Sequence, residues 1–389
     1  MEHMIGPDPY PYYAQLRARG PVHFFPDRGV YWVVSHRGAM QVLGDRSFGK
    51  RIGGQAVSDP GMGFDLNALP PSMLFLDPPD HTRLRSLVNK AFTPAVVEAL
   101  APRIRALANA LVDEIAGNRE TDLVSSFAFP LPAVVIAELM GIPAEDRVQF
   151  RAWSEAIALG LDVAQPEAVY AEAEKSTREL AQYFVTLLMK RRQAPKDDLL
   201  TRLLAVEEEG DRLGPGELLS MCILLLVAGH ETTKNLIANS MLTLLTHPEE
   251  RAMLGGRSDL LGTAVEELLR YESPVQRTMR VAQQDLELEG VPLPAGSRVV
   301  VAIGAANRDP AVFSDPDRLD LSRKENPHLA FGRGIHFCLG APLARLEGRI
   351  ALDVLLRRLP MMRLRNETPD WSDNTLIRGL RSLPVLVRD

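Results

Sequence analysis

A mainly α-helical fold with small β-sheets is predicted for this 389-residue chain by three features. Apolar residues recur at spacings of three and four through the middle of the chain, the period of a helix burying one face. Strand-like runs are short and few. Strand and helix do not alternate regularly, which argues against a parallel sheet wound by crossover helices. No repeat, low-complexity segment or dividing linker occurs, so one domain over residues 1–389 is expected.

The elements follow in order. A short helix around YYAQLRARG precedes two strand-like runs, VHFF and VYWVV, joined by the turn-forming PDRG. Residues 48–73 are rich in glycine and proline, with Met62, Phe64, Leu66 and Leu69 scattered among them. A long irregular segment inside a compact protein reads as a lid or binding loop. Val97, Leu100, Ile104, Leu107, Leu111 and Ile115 then mark a helix that Pro102 starts or kinks. Helical stretches continue at 130–141, 145–160, 169–192 and 197–209. The longest runs over 214–247 and is apolar nearly all round through Leu226, so it crosses the interior. A helix over 262–274, the strand-like LELEG and RVVVAIGA, an irregular stretch over 309–337 and a last helix through Leu359 complete the pattern.

Composition narrows the function. Lysine and arginine total 44 against 50 acidic residues, a net charge of −6, which argues against a general nucleic-acid binder. The apolar run MCILLLVAG is too short to span a bilayer and ends at His230. The first residues lack the basic start and apolar stretch of a signal peptide, so a cytoplasmic location is expected. Two cysteines cannot make a disulfide framework, and Cys222 lies in the apolar run as a small buried hydrophobe.

Cys338 lies in FGRGIHFCLGAPLAR, just before the last helix. The first N–H groups of that helix lack intrahelical partners, and Pro342 falls in the first turn, where a missing N–H costs little. Free donors and helix dipole both favour a thiolate. Gly332, Gly334 and Gly340 let the backbone turn tightly and approach a flat group, while Phe331 and Phe337 exclude water. The arrangement suits a metal-bound thiolate, against the plainer reading of a buried structural cysteine.

The stretch resembles the haem-ligating loop F-x-x-G-x-H-x-C-x-G of the cytochrome P450 family, here Phe331, Gly334, His336, Cys338 and Gly340, continuing into Leu343–Arg345. The resemblance implies the family's mainly helical fold, with haem b (iron protoporphyrin IX) buried between the long central helix and the helix after the cysteine. It makes Cys338 the proximal iron ligand, whose electron-rich sulfur favours O–O cleavage.

Three further stretches carry the same resemblance. AGHETT sets Gly229 and two threonines, weak helix formers, into the apolar central helix, where Thr232 can bond back to the carbonyl of Ala228 and open the helix locally. A zinc-protease motif fails there, because Lys234 stands where the second histidine belongs. The stretch resembles the family's oxygen-activating segment, which implies Glu231 and Thr232 as the catalytic acid–threonine pair and Leu224, Val227 and Ala228 as residues facing substrate. EELLR puts Glu267 and Arg270 on one helical face. By resemblance this is the family's structural E-x-x-R pair, joined by Arg318 from FSDPDRLDLSR. DPPDHTRLR puts His81 and Arg85 four apart, and resemblance implies that they hold the haem propionates with Arg280 and His336. Arginine's planar fork suits a carboxylate. Phe331, Gly332 and Gly340 complete the expected haem contacts, and Met62, Phe64, Leu74 and Val275 the expected substrate contacts.

The function implied is a soluble bacterial-type haem-thiolate monooxygenase. It inserts one atom of O2 into a lipophilic molecule, such as a polyketide, a fatty acyl chain or another secondary metabolite, free or carrier-bound. No flavin or nicotinamide fingerprint appears, since Phe337 stands at the third glycine of GRGIHF. Electrons are therefore expected from a ferredoxin or flavodoxin with its NAD(P)H-dependent reductase, docking on Arg83, Lys90, Arg345 and Arg349 of a monomer. The rival readings are a non-turnover haem-binding or gas-sensing protein and a haem-free cysteine redox enzyme.

Overall fold

Helices form where the apolar three-and-four spacing is found, in a computed structural model that describes residues 8–57, 72–162, 165–208, 211–366 and 368–388. The first half holds α1 (Tyr10–Arg19), α2 (His36–Gly44), α3 (Asp80–Ala91), α4 (Pro94–Glu98), α5 (Ala101–Ala116), α6 (Pro130–Leu139), α7 (Arg147–Gly160) and α8 (Glu167–Gln193). After them come α9 (Leu199–Ala205), α10 (Pro215–Thr246), α11 (Pro248–Leu254), α12 (Leu261–Tyr271), α13 (Ile303–Ala306) and α14 (Ala341–Arg358). Side-chain caps fix several starts: Ser35 Oγ accepts the Gly38 N–H at the head of α2 (3.1 Å) and Asp198 Oδ1 the Thr201 N–H at the head of α9 (2.9 Å).

The 32-residue α10 is about 48 Å long at 1.5 Å per residue. Residues from Leu218 onward are buried on almost every side, and α6, α7, α8, α12 and α14 all pack against it. Its lack of a polar face thus follows from a place at the centre of the helical core. That core draws on residues from Met73 to Val387.

The main sheet has five strands in the order Val22–Phe25, Val30–Val33, Arg298–Ala302, Arg277–Ala282, Phe48–Gly49. Only the pairing of Arg298–Ala302 with Val30–Val33 is parallel, with Val300 opposite Trp32. Side chains alternate faces as the pleat requires. Val299 and Val301 join Val42, Leu43 and Leu288 on one side, and Val300 and Ala302 join Tyr10, Tyr13 and Trp32 on the other. A second sheet orders Arg363–Leu364, Pro384–Leu386 and Glu120–Asp122.

Several expectations are corrected. The helix read through Val97 and Ile115 is two helices: Thr93 caps α4 and Pro102 falls in the first turn of α5, so the proline starts a helix and does not kink one. AGHETT does not open α10, which stays helical throughout. Residues 48–57, read as irregular, hold Phe48–Gly49 in the main sheet and a hairpin of Arg51–Ile52 with Gln55–Ala56. Helix α2, the strand Arg277–Ala282 and the C-terminal strands were missed. Among the described residues no helix is long and apolar enough to cross a membrane.

Candidate active site

The cysteine loop is shaped by backbone bonds. Leu329 O accepts the Gly332 N–H (2.8 Å), Phe331 O the Cys338 N–H (2.9 Å) and Gly334 O the Phe337 N–H (3.1 Å). Gly332 and Gly334 adopt φ of 69° and 71°, in the left-handed region. A Cβ on Gly334 would lie 2.4 Å from Leu43 O, so the loop rests directly on the end of α2. Gly340 needs no such freedom, with φ of −81° and a Cβ position 4.0 Å from Cys338 Sγ. Burial raises the pKa of the Cys338 thiol. The N–H groups of Gly340 and Ala341 at the head of α14, with the Arg85 and Arg345 guanidiniums, act in the opposite direction.

On α10, Ala228 is exposed although Leu226, Val227 and His230 beside it are buried, so a cleft reaches the helix at this point. Thr232 donates its hydroxyl proton to Ala228 O (2.9 Å). Gly229 is explained by packing, since a Cβ there would lie 3.2 Å from Ile136 of α6. Glu231 pairs through Oε1 with Lys234, one helical turn on, and its buried Oε2 has no hydrogen-bond partner among the described residues. His230 is fixed between Leu226 O (3.0 Å from Nδ1) and Ser154 Oγ (3.1 Å from Nε2), and burial lowers its pKa. Leu224 and Val227 lie on the same helix, the first half-buried and the second buried.

His81 and Arg85 on α3, Arg280 on its strand and His336 of the cysteine loop come together as expected. The His81 and His336 rings are 4.2 Å apart, and both nitrogens of His81 and Nε2 of His336 are buried without a hydrogen-bond partner among the described residues. Arg280 donates to Thr278 Oγ1 (3.3 Å) and Met279 O (2.9 Å), and burial lowers its pKa to about 10 against the pull of Asp77. Sequence reasoning missed Lys50, a buried lysine whose Nζ lies 3.4 Å from Thr278 Oγ1. Nothing but a glycine-rich stretch surrounds it in the sequence. The nearby carboxylate of Asp77 is turned to the N–H groups of Lys50 (2.8 and 2.9 Å) and Arg51 (3.0 Å). Three cations and two imidazoles with orphaned nitrogens thus share one acid, and buried charge of this kind calls for an anion. The two carboxylates of a haem group fit that demand, and the thiol of Cys338 fits its iron.

Glu267 of α12 accepts both Arg270 Nε (2.8 Å to Oε2) and Nη2 (2.7 Å to Oε1), and both residues are fully buried. The third member is Arg323, not Arg318. Arg323 Nε reaches Glu267 Oε2 at 3.0 Å, while Arg318 offers only its carbonyl, to Arg270 Nη2 (3.2 Å), and leaves its side chain exposed. The turn between them brings the later arginine inward.

Other predicted residues scatter more widely. Leu74 is exposed beside buried Met73, and Val275 is half-buried in a bridge with Ile377. Met62 and Phe64, with Leu66 and Leu69, lie outside the described residues. The basic docking patch is weakened, because Arg83 pairs with Glu217 and Arg345 with Glu266. Lys90 and Arg349 are exposed.

Comparison with known proteins gives one answer. The family model described as Cytochrome P450 matches residues 258–384. The chain is 50% identical over 329 residues to cytochrome P450 107B1 of Saccharopolyspora erythraea, covering 84% of this chain and 79% of that one. It is 44% identical to the cytochrome P450 monooxygenase PikC of Streptomyces venezuelae, covering 97% and 91%. The solved structure of P450BioI in complex with a hexadec-9Z-enoic acid ligated acyl carrier protein superposes with a TM-score of 0.92 at 39% identity, covering 99% and 98%.

Proposed function

Since this chain belongs to the cytochrome P450 family, we propose that Cys338 is the thiolate ligand in a haem-thiolate monooxygenase whose substrate is a polyketide or fatty acyl chain. Members of the family bind haem b with iron held by a cysteine thiolate, take a lipophilic substrate and need a redox partner. When bound, haem b supplies the oxygen chemistry: one atom of O2 enters the substrate and the other leaves as water, using two electrons and two protons.

The residues divide that work. Cys338 would bind the iron, with the N–H groups of Gly340 and Ala341 offsetting part of the cost that burial puts on its thiolate. His81, Arg85, Arg280, His336 and Lys50 would hold the propionates, and Phe331, Gly332, Gly340 and Ala228 would make further contacts to the group. Thr232 Oγ1 donates to Ala228 O and so turns its lone pairs outward beside the exposed face of α10 to accept and orient a proton-carrying group. Glu231, whose Oε2 makes no hydrogen bond among the described residues, stands next to it to relay protons. Leu74, Leu224, Val227 and Val275 form the apolar substrate wall. Glu267, Arg270 and Arg323 hold the loop that precedes the cysteine.

The electron donor in this reading is a ferredoxin or flavodoxin, and the substrate arrives free or on a carrier protein, as in the P450BioI complex. The enzyme acts as a cytoplasmic monomer of one domain, its helical core running from Met73 to Val387. The observation that carries the reading is the half-buried thiol at the head of α14 beside a cationic cluster with orphaned imidazole nitrogens. The test is the absorption spectrum of the reduced protein under carbon monoxide, beside that of Cys338→Ala. A strongly red-shifted Soret band that the substitution abolishes is expected. A band that survives it rejects Cys338 as ligand.

A further inference from the structure

Glu266 precedes Glu267 on α12 and, about 100° further round the helix, faces the cysteine loop from a different side. Its carboxylate bridges the two ends of that loop. At the entry, His328 Nε2 lies 3.0 Å from Glu266 Oε2. His328 Nδ1 accepts the Ala330 N–H (3.2 Å), so Nε2 carries the proton and donates it. At the exit, Arg345 donates from Nε (2.7 Å to Oε1) and from Nη2 (2.8 Å to Oε2), a planar two-bond grip. The same guanidinium lies 4.5 Å over the ring of Phe331, whose carbonyl accepts the Cys338 N–H.

We propose that Glu266 is a positioning residue for the Cys338 thiolate, clasping the loop at His328 and Arg345 and balancing the arginine charge that faces the sulfur. The proposal rests on the reading of Cys338 as iron ligand. Burial acts to raise the pKa of Glu266, but the bonds from Arg345 and His328 outweigh it and hold the carboxyl down at about 2, so the clasp keeps its charge. Two consequences separate. The clasp resists departure of the sulfur from iron, and the negative charge disfavours the reduced, more negative state of the haem-thiolate centre.

The test uses holoenzyme and two readouts other than turnover: the midpoint potential, and the rate at which mild denaturant converts the reduced carbon monoxide complex from its red-shifted band to the blue-shifted band of a lost thiolate. Glu266→Gln is expected to raise the potential and to speed the conversion severalfold. Arg345→Lys keeps the charge and loses the fork, so it speeds the conversion with little change in potential. Parental values of both quantities in Glu266→Gln overturn the proposal. If that variant retains no haem, parental conversion rates in both Arg345→Lys and His328→Gln overturn it instead. A parent protein without the red-shifted band, or a Cys338→Ala variant that keeps it, refutes the ligand reading itself.

Discussion

Thr232 and Glu347 show how differently single side chains yield to reading. The hydroxyl of Thr232 was legible, because a threonine in an apolar helix has its own turn to bond to, and the bond to Ala228 O is made. Thr232→Val keeps the shape and removes the hydroxyl. Product per reducing equivalent should then fall about tenfold or more, while reducing equivalents are still consumed and the carbon monoxide spectrum is unchanged. Equal coupling in parent and variant would remove Thr232 from proton delivery. Glu347 gave no signal in the sequence. It lies fully buried in α14, its Oε2 lacks a partner among the described residues, and burial raises its pKa from 4.5 to about 8. The folded protein therefore keeps a proton that the unfolded chain gives up above about pH 4.5. Stability should fall by about 1.4 kcal/mol per pH unit from this group between about pH 4.5 and 8, then level off. Glu347→Gln removes that slope, so its melting temperature should pull ahead of the parent as pH rises through this window. Parallel melting curves across the window would show a partnered carboxylate.

At the scale of elements, the long helices were legible because a buried face repeats many times along each, and the short strands were not because two to six residues carry little period. Arg277–Ala282, RTMRVA, has a charged residue at two of its six places and still forms a central strand of the main sheet, since its pairing with Arg298–Ala302 decides it. The third partner of the E-x-x-R pair failed for a related reason. Spacing can nominate an arginine in an irregular segment, but the turns through residues 309–323 decide which guanidinium points inward. The two arginines should therefore behave unlike each other. Arg323→Ala removes a buried bond to a charged group and should cost about 1.5–3 kcal/mol. Arg318→Ala keeps the carbonyl that Arg270 uses and should stay within about 0.5 kcal/mol of the parent. Denaturant unfolding of both variants tests the assignment, and the reverse order of costs would restore Arg318.

Across the whole molecule, the sequence conveyed which chemistry is present, and the structure changes which charges are available to a partner. The net charge of −6 makes association with an acidic electron donor depend on local cations and not on the overall field. Of the four basic residues read as a docking patch, Arg83 is bound to Glu217 and Arg345 to Glu266, so their charges are largely cancelled where they lie. Lys90 near the end of α3 and Arg349 on α14 are exposed. Reversing the second pair, Lys90→Glu with Arg349→Glu, should lower the rate of electron transfer from an acidic ferredoxin at low salt and flatten its dependence on ionic strength. Reversing Arg83 or Arg345 should instead lower stability, because each leaves a carboxylate facing a like charge. Stopped-flow reduction across a salt series, read beside thermal unfolding of the same variants, separates loss of steering from loss of stability. A rate and salt slope unchanged in the Lys90 and Arg349 double variant would move the docking site to another face.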